Sequence, residues 1–491
     1  MKLFSLALVL CFFFSLFAFS LLRPHSCPAP NVGSLNLKVP KRAGLNMATK
    51  DVQISESGSP AQEDEDDEDE DSKPICHVSN PRSEYCEILG DIRIHPNSST
   101  LFFITPPAPA EERKSWKIRP YARKADPIAM QAVKEISIKR RDTAEETPDC
   151  SINHTSPAIV FSIGSYTGNL FHDFTDVLVP LFLTSRHYHG HVHFLVSDIK
   201  PWWISKYSAI LSHLSNRVVI DLDHDKSTHC FPKAQVGLEF HKEFGADPQM
   251  TPEKYSIRDF MALLREVYSL GRKNISSNKI EKRAMNVLPA KISTISNGSL
   301  IKRKPRLLII YRKRTRKFLN FPEIVELAKS VGYDVVIGDA EFGTNMTGYA
   351  GLVNSCDVMM GVHGAGLTNM VFLPLGAVVI QIIPLGGLQW VGRTSFGEPA
   401  HDMKLHYIEY QIQQEESSLI EEYPHNDPVL VDPASIHKHD WLSLRSIYLE
   451  KQNVKLDLGR FKRVLQDALH ILYEQDRGHI FEMSAIQSNS S

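Results

Sequence analysis

The run Asp357-Val-Met-Met-Gly-Val-His-Gly-Ala-Gly-Leu-Thr-Asn369 decides how the second half of this chain is read. The spacing predicts a short apolar strand over 357–360, a glycine-rich loop over 361–366 and a helix over 367–373. Glycines let backbone N–H groups approach an anion, and a helix N-terminus adds positive potential. Gly364, Ala365 and Gly366 would line such a loop. Thr368 and Asn369 add side-chain donors, and His363 is placed to hydrogen-bond a phosphate or a ribose. The plain alternative is a tight turn with a structural histidine.

The same rhythm continues on both sides. Strands are expected over 306–311, 334–337 and 377–383, and helices over 322–331 and 349–355. Short, wholly apolar strands separated by helices mean a parallel sheet covered on both faces. In the first half, strands over 158–163, 191–196 and 217–222 alternate with helices over 169–188 and 202–214, and an amphipathic helix follows over 257–270. A polar stretch over 272–304 is the best internal boundary. Residues 75–150 read as irregular, with short strand candidates such as 101–104, and a last helix falls within 453–473. The expected fold class is α/β, with two facing Rossmann-like domains whose ligand loops lie at the strands' carboxyl ends. The corresponding division is 74–300 and 301–475, with a disordered tail over 476–491.

Residues 3–22 carry no charge and lie between Lys2 and Arg23. At ~1.5 Å per residue the stretch spans ~30 Å, a bilayer's hydrocarbon core. Ser20, Leu21 and Leu22 make a poor signal-peptidase site, so residues 1–22 read as a cytosolic tip with an uncleaved signal anchor. Residues 23–73 carry Pro, Ser and Gly and read as a disordered acidic stem. The nine consecutive acidic residues Glu63–Asp71 outweigh the chain's formal net charge of −2, so the remainder is mildly basic. That balance suits a small anionic ligand and not a nucleic acid, which needs a larger, clustered excess of cations. Asn-x-Ser/Thr sequons begin at Asn97, Asn153, Asn274, Asn297, Asn345 and Asn489, with none before residue 97. They favour a lumenal body carrying N-glycans. Cys76 and Cys86 are close enough to close a short loop in an oxidising lumen, whereas Cys230 and Cys356 read equally well as buried thiols.

Two further clusters carry chemistry. Arg312-Lys-Arg-Thr-Arg316-Lys317, with Asn320, follows the 306–311 strand. Guanidinium forks match phosphate oxygens in bidentate fashion, so a strand delivering several cations could neutralise a pyrophosphate without a metal. Asn169-Leu-Phe-His172-Asp173-Phe-Thr-Asp176 puts His172 and Asp176 one helical turn apart, a spacing that suits a general base with its orienting carboxylate, two metal ligands, or a polar helix start. Arg258 with Asp259 could be a surface ion pair. Asp221-Leu-Asp223 could hold a divalent metal, but a strand-end turn is the simpler reading. No Walker loop, H-E-x-x-H, G-x-S-x-G or C-x-x-C pattern is present; the Walker loop would mark a P-loop nucleotide site, and the other three metalloprotease, serine-hydrolase and thiolate-zinc sites.

Taken together, the 361–369 loop, Tyr311-Arg312…Arg316…Asn320 and Asn169…His172…Asp176 resemble family-61 glycosyltransferases. Pro74-Ile-Cys76…Arg82-Ser-Glu-Tyr-Cys86, Phe396-Gly-Glu-Pro-Ala…Met403…Tyr407…Glu409-Tyr410, Glu416-Ser-Ser-Leu419 and Tyr448-Leu…Gln452-Asn-Val454 are similar to the plant clade that decorates xylan. The resemblance covers roughly residues 74–475. It implies an inverting enzyme of GT-B type, anchored as a single-pass type II protein of the Golgi membrane. That enzyme would move arabinofuranose or xylose from a UDP-sugar to xylan and require no cofactor. Many relatives outside this clade have an acid at the position of Gln381. A lumenal glycan-binding protein without turnover, a transferase acting on N-glycans, and a glycan hydrolase, for which the sequence shows no paired carboxylates, are the rival expectations.

Overall fold

Ten strands, counted among the described residues, form one mixed sheet: β1 (Cys76–Asn80), β2 (Ser83–His95), β3 (Thr100–Ile104), β4 (Ser115–Ile118), β5 (Ile136–Arg141), β6 (Ile152–Asn153), β7 (Ala158–Ser162), β8 (His193–Ser197), β9 (Ile220–Asp221) and β10 (His229–Val236). These strands come from a computed structural model, which describes residues 76–105, 115–275, 303–339, 345–437 and 441–488. The expected anchor over 3–22 and stem over 23–73 lie outside them. Among the described residues no helix is long and apolar enough to cross a membrane.

The sheet runs β4-β5-β3-β2-β10-β7-β8-β9, with β1 beside β2 and β6 beside β10. Its β10-β7-β8-β9 part is parallel, as alternating strands and helices require. The other part is not Rossmann-like, because β2 pairs antiparallel with β1, β3 and β10. Residues 75–150 are therefore sheet where the sequence reads as irregular. The 13-residue β2 has Gly90 in its middle, which breaks the alternation that would mark a strand. β10 escapes the sequence for a similar reason. Pro232 argues against a central strand, and the register of β10 on β2 shifts between Phe231 and Lys233, where a bulge accommodates it.

β11 (Arg306–Tyr311), β12 (Asp334–Asp339), β13 (Val358–Val362), β14 (Val378–Ile383) and β15 (His406–Gln411) form the second sheet. All neighbours are parallel, in the order β12-β11-β13-β14-β15. Every residue of β13 and β14 is buried, as expected for strands covered on both faces. The described residues after Glu70 pack as one compact unit, and one apolar core runs from Tyr121 through Phe174 and Met360 to Leu472. The last helix extends over Leu458–Ser488, so the tail expected from 476 continues it. Its Glu, Gln, Met and Ala residues favour helix, and no proline interrupts them.

The disulfide Cys76–Cys86 joins β1 to β2. A second one, Cys150–Cys230, settles the open reading of Cys230: β6 lies beside β10 and carries Cys150 to it. Cys356 is a buried free thiol. The buried Asp357 anchors the start of the second sheet. It accepts from Arg272 Nη2 at 2.8 Å, Arg303 Nη2 at 2.7 Å and the Arg306 N–H at 2.8 Å. Residues 272 and 303 are thereby held side by side. Removing one partner of a buried ion pair strands the others, so Asp357→Ala is expected to lower the unfolding free energy by about 3 kcal/mol in urea titration. A loss below about 1 kcal/mol would show that this carboxylate is not a tether.

Candidate active site

In an open parallel sheet, ligands gather where the strand order reverses, beyond the strands' carboxyl ends. In the second sheet that point lies between β11 and β13. β11 delivers Arg312 and Arg316 there, and β13 delivers His363 and Gly364. Arg316 donates through Nη1 to the His363 carbonyl at 2.8 Å. Gly364 has φ +142°, and a Cβ there would lie 2.9 Å from Arg316 Nη1 and 3.0 Å from Arg312 Nη1. Two guanidinium groups thus converge on one bare backbone atom. Burial and then Arg312 push the Arg316 guanidinium down to about 9, with Glu450 opposing. Bringing two such cations together is costly unless an anion joins them. Arg316 Nε, Thr368 Oγ1 and Asn369 Oδ1 are buried without a hydrogen-bond partner among the described residues.

Asn320 corrects one expectation. Its Nδ2 donates to the Leu456 carbonyl at 2.8 Å, and its Oδ1 accepts the Leu456 N–H at 3.1 Å. Both ends of the amide are spent on backbone, so Asn320 is a clamp and not a ligand for the anion. Asn369 is divided, since its Nδ2 holds the Gly366 carbonyl at 2.8 Å. Ala365, Gly366, Thr368 and Asn369 belong to a tight 3-10 turn over Ala365–Phe372 rather than to an α-helix. Buried Gln452 fastens the neighbouring loops. It holds the Leu385 backbone with both amide groups, at 2.8 and 3.0 Å, while its own carbonyl accepts the Arg316 N–H at 2.9 Å.

In the first sheet the order reverses between β7 and β10, and the second cluster sits there. Asn169 caps a helix over 170–185 by accepting the Phe171 N–H. Its middle, Asp173–Leu178, is wound as a π-helix, a local distortion frequent at functional sites. Asp173 turns inward to Trp203, at 2.9 Å, and Tyr207, at 2.8 Å. Asp176 is fully buried and accepts from His172 Nδ1 at 2.8 Å, Arg123 Nε at 2.9 Å, Tyr121 Oη at 2.9 Å and Arg82 Nη2 at 3.2 Å. Arg82 and Arg123 also pair with Glu243. Burial opposes the charge on Asp176, but His172 and Arg123 outweigh it and hold the carboxyl below its ordinary value. An ionised Asp176 can only accept. The neutral His172 ring therefore carries its proton on Nδ1, and Nε2 is left as the basic nitrogen.

The two clusters adjoin. The turn Leu170–His172 packs on Ala365–Phe372. Phe396 stands 5.4 Å from the Phe171 ring and 5.7 Å from the His363 ring. Arg82, Tyr121, Arg123 and Glu243 were not singled out as site residues in the sequence, although Arg82 sits in a quoted motif. Asp221 and Asp223 form the strand-end turn: Asp221 Oδ1 accepts the Asp223 and His224 N–H groups, and Asp223 pairs with Lys134. Asp259 completes a capping box with Ser256. Of the sequons, Asn97, Asn153 and Asn345 are exposed, Asn274 is half-buried on a bridge to Leu375, and Asn297 and Asn489 lie outside the described residues.

A family model described as Glycosyltransferase 61 matches residues 170–380. An alpha-1,3-arabinosyltransferase of Oryza sativa subsp. japonica is 44% identical over 84% of this chain and 67% of its own length. A beta-1,2-xylosyltransferase of the same organism is 39% identical over 81% and 84%. The chain belongs to glycosyltransferase family 61. A xylan glycosyltransferase of Arabidopsis thaliana, 37% identical over 80% of this chain and 78% of its own, is a further relative of this family-61 glycosyltransferase.

Any side chain at residue 364 must displace a guanidinium. Gly364→Ala is expected to weaken pyrophosphate or UDP binding by at least tenfold in calorimetry while the fold survives; unchanged affinity would remove the arginine pair from the site. Asp176 carries the reverse pH sign from a raised group. Its folded value lies below the ordinary 3.8, so its contribution is present above about pH 4 and is lost as pH falls further. Acid unfolding below pH 4 should be shallower in Asp176→Asn than in the wild type.

Proposed function

We propose that this enzyme moves a pentosyl group, arabinofuranose or xylose, from a UDP-sugar to xylan with inversion at the anomeric carbon, in a fold of GT-B type. The reading is carried by one observation: Arg312 and Arg316 converge on Gly364 at the reversal point of the second sheet. That is where a departing diphosphate needs fixed positive charge. The relatives' names supply the sugar and the acceptor. Across Phe171 and Phe396, His172 Nε2 supplies the base.

The step balances as follows. An acceptor hydroxyl oxygen attacks the anomeric carbon while the bond from that carbon to the diphosphate oxygen breaks. The hydroxyl proton passes to His172 Nε2. The bonding electron pair leaves with UDP onto the two arginines and the loop amides. Tyr121, Arg82 and Arg123 hold Asp176, which fixes the imidazole. Positioning and fixed charge together lower the barrier. With two guanidinium groups at the diphosphate, the reading requires no metal. Half-exposed Trp202, whose ring lies 3.4 Å from a Cβ position on Gly168, offers a flat face beside the helix of His172 for the acceptor's sugar rings. The two disulfides and the exposed Asn97, Asn153 and Asn345 support a Golgi-lumenal body behind a type II anchor.

The test is UDP release by the full-length chain with xylo-oligosaccharide acceptors and a donor panel. UDP-pentoses should be consumed and UDP-hexoses left, with activity retained in EDTA; loss on chelation would overturn the metal-free reading. Polysaccharide binding without UDP release would favour the non-catalytic glycan-binding protein, and activity on N-glycans alone would move the acceptor. His172→Ala should lower kcat about 10²–10⁴-fold with donor KM little changed. Arg312→Ala should lose donor binding with the fold intact.

A further inference from the structure

Gln381, in the middle of β14, is fully buried and reaches His363, the residue that follows the neighbouring strand β13. Its Nε2 lies 2.7 Å from His363 Nδ1, and its Oε1 accepts the Tyr407 hydroxyl at 2.9 Å. An amide oxygen that accepts from Tyr407 leaves the amide N–H to face the imidazole, so Nδ1 must accept. The ring's single proton then sits on Nε2, which has no hydrogen-bond partner among the described residues. The residue is fixed at both backbone ends, its N–H on the Ile382 carbonyl at 2.9 Å and its carbonyl under Arg316.

The surroundings are built for this chain of contacts. A π-helix over Arg393–Gly397, preceded by Gly392 and ending on Gly397, lies against it. A Cβ on Gly392 would meet Gln381 Nε2 at 3.0 Å, and one on Gly397 would meet the Tyr407 ring at 3.1 Å. The charged groups facing the imidazole are Arg312 and Arg316, from the loop after β11. Glu409, paired with Arg393, faces Tyr407. Burial and then the two arginines push the imidazole down to about 3.

We propose that Tyr407 and Gln381 are positioning residues that hold His363 as the neutral, Nε2-protonated imidazole, a hydrogen-bond donor to the diphosphate and neither an acid nor a base in the transfer. The diphosphate as Nε2's partner rests on the function proposed above; the tautomer does not. A third cation beside Arg312 and Arg316 would be costly in the empty site, and a bare ring nitrogen would repel an anion. A neutral N–H avoids both.

The first arm of the test needs no nucleotide. The full-length chain is labelled with ¹⁵N-histidine, and His363 is assigned by its absence in His363→Gln. Two-bond ¹H–¹⁵N spectra should show the Nε2–H tautomer unchanged from pH 5 to 8. In Gln381→Glu a carboxylate faces Nδ1 and should draw a proton there, so that imidazolium appears within this range. Tyr407→Phe frees the amide to turn over and should give a mixture of tautomers. An Nδ1–H ring or a protonated one in the wild type, or a ring that stays neutral in Gln381→Glu, would overturn the assignment.

The second arm is UDP calorimetry. Gln381→Leu should weaken UDP roughly tenfold, as one misplaced hydrogen bond to a charged ligand does. Unchanged affinity would overturn the link from this chain of contacts to the diphosphate. A wild type that binds no UDP would sink the donor reading and the partner assigned to Nε2, while the tautomer is judged by the first arm alone.

Discussion

Two arginine side chains brought against one glycine are the constraint from which the rest of the structure follows. Guanidinium groups do not share a half-buried corner without reason, since like charges repel. Here the corner is enforced from several sides. The parallel sheet aims the loops after β11 and β13 at the same point. Gly364 supplies backbone without a side chain. Asn320, Gln452 and Asn453 hold the chain that carries Arg316, through Leu456, the Arg316 N–H and, from Asn453, the Lys317 N–H at 3.0 Å. In the proposed reading, an anionic ligand relieves the repulsion between the two cations.

The same economy appears on the other sheet with the sign reversed. There a buried carboxylate, Asp176, is the costly group, and Arg82, Arg123, Tyr121 and His172 together make it affordable. His172 gains orientation from that arrangement. Both clusters occupy the reversal point of their own sheet, and Phe171 and Phe396 are the apolar contact between them. Of the three π-helices in the described residues, Asp173–Leu178 carries Asp176, Arg393–Gly397 carries Phe396 to this contact, and Arg445–Lys451 carries Glu450 toward Arg316.

Much of the second half was legible because its strands are uniformly apolar and its helices periodic. Arg312, Arg316, His363 and Gly364 lie within a few residues of a strand end, so the sequence already pointed to a common destination. The first half hid more. β10 carries a proline in its centre, and β2 is broken by glycine. The partners of Asp176 come from far along the chain, Arg82 by 94 residues and Arg123 by 53, and no local periodicity links them. Asn320 looked like a ligand because it follows the basic run, but its role depends on Leu456, 136 residues away. Gln381 was legible only as an apolar strand's one amide, and the contacts that reach it from His363 and Tyr407 give it a task.

Diffraction from crystals soaked with UDP would test the central claim most directly. The account places both phosphates within hydrogen-bond distance of Arg312, Arg316 and the backbone amides around Gly364, with His172 across the cleft from the sugar side. A diphosphate bound elsewhere, with the two guanidinium groups still facing one another over Gly364, would contradict it.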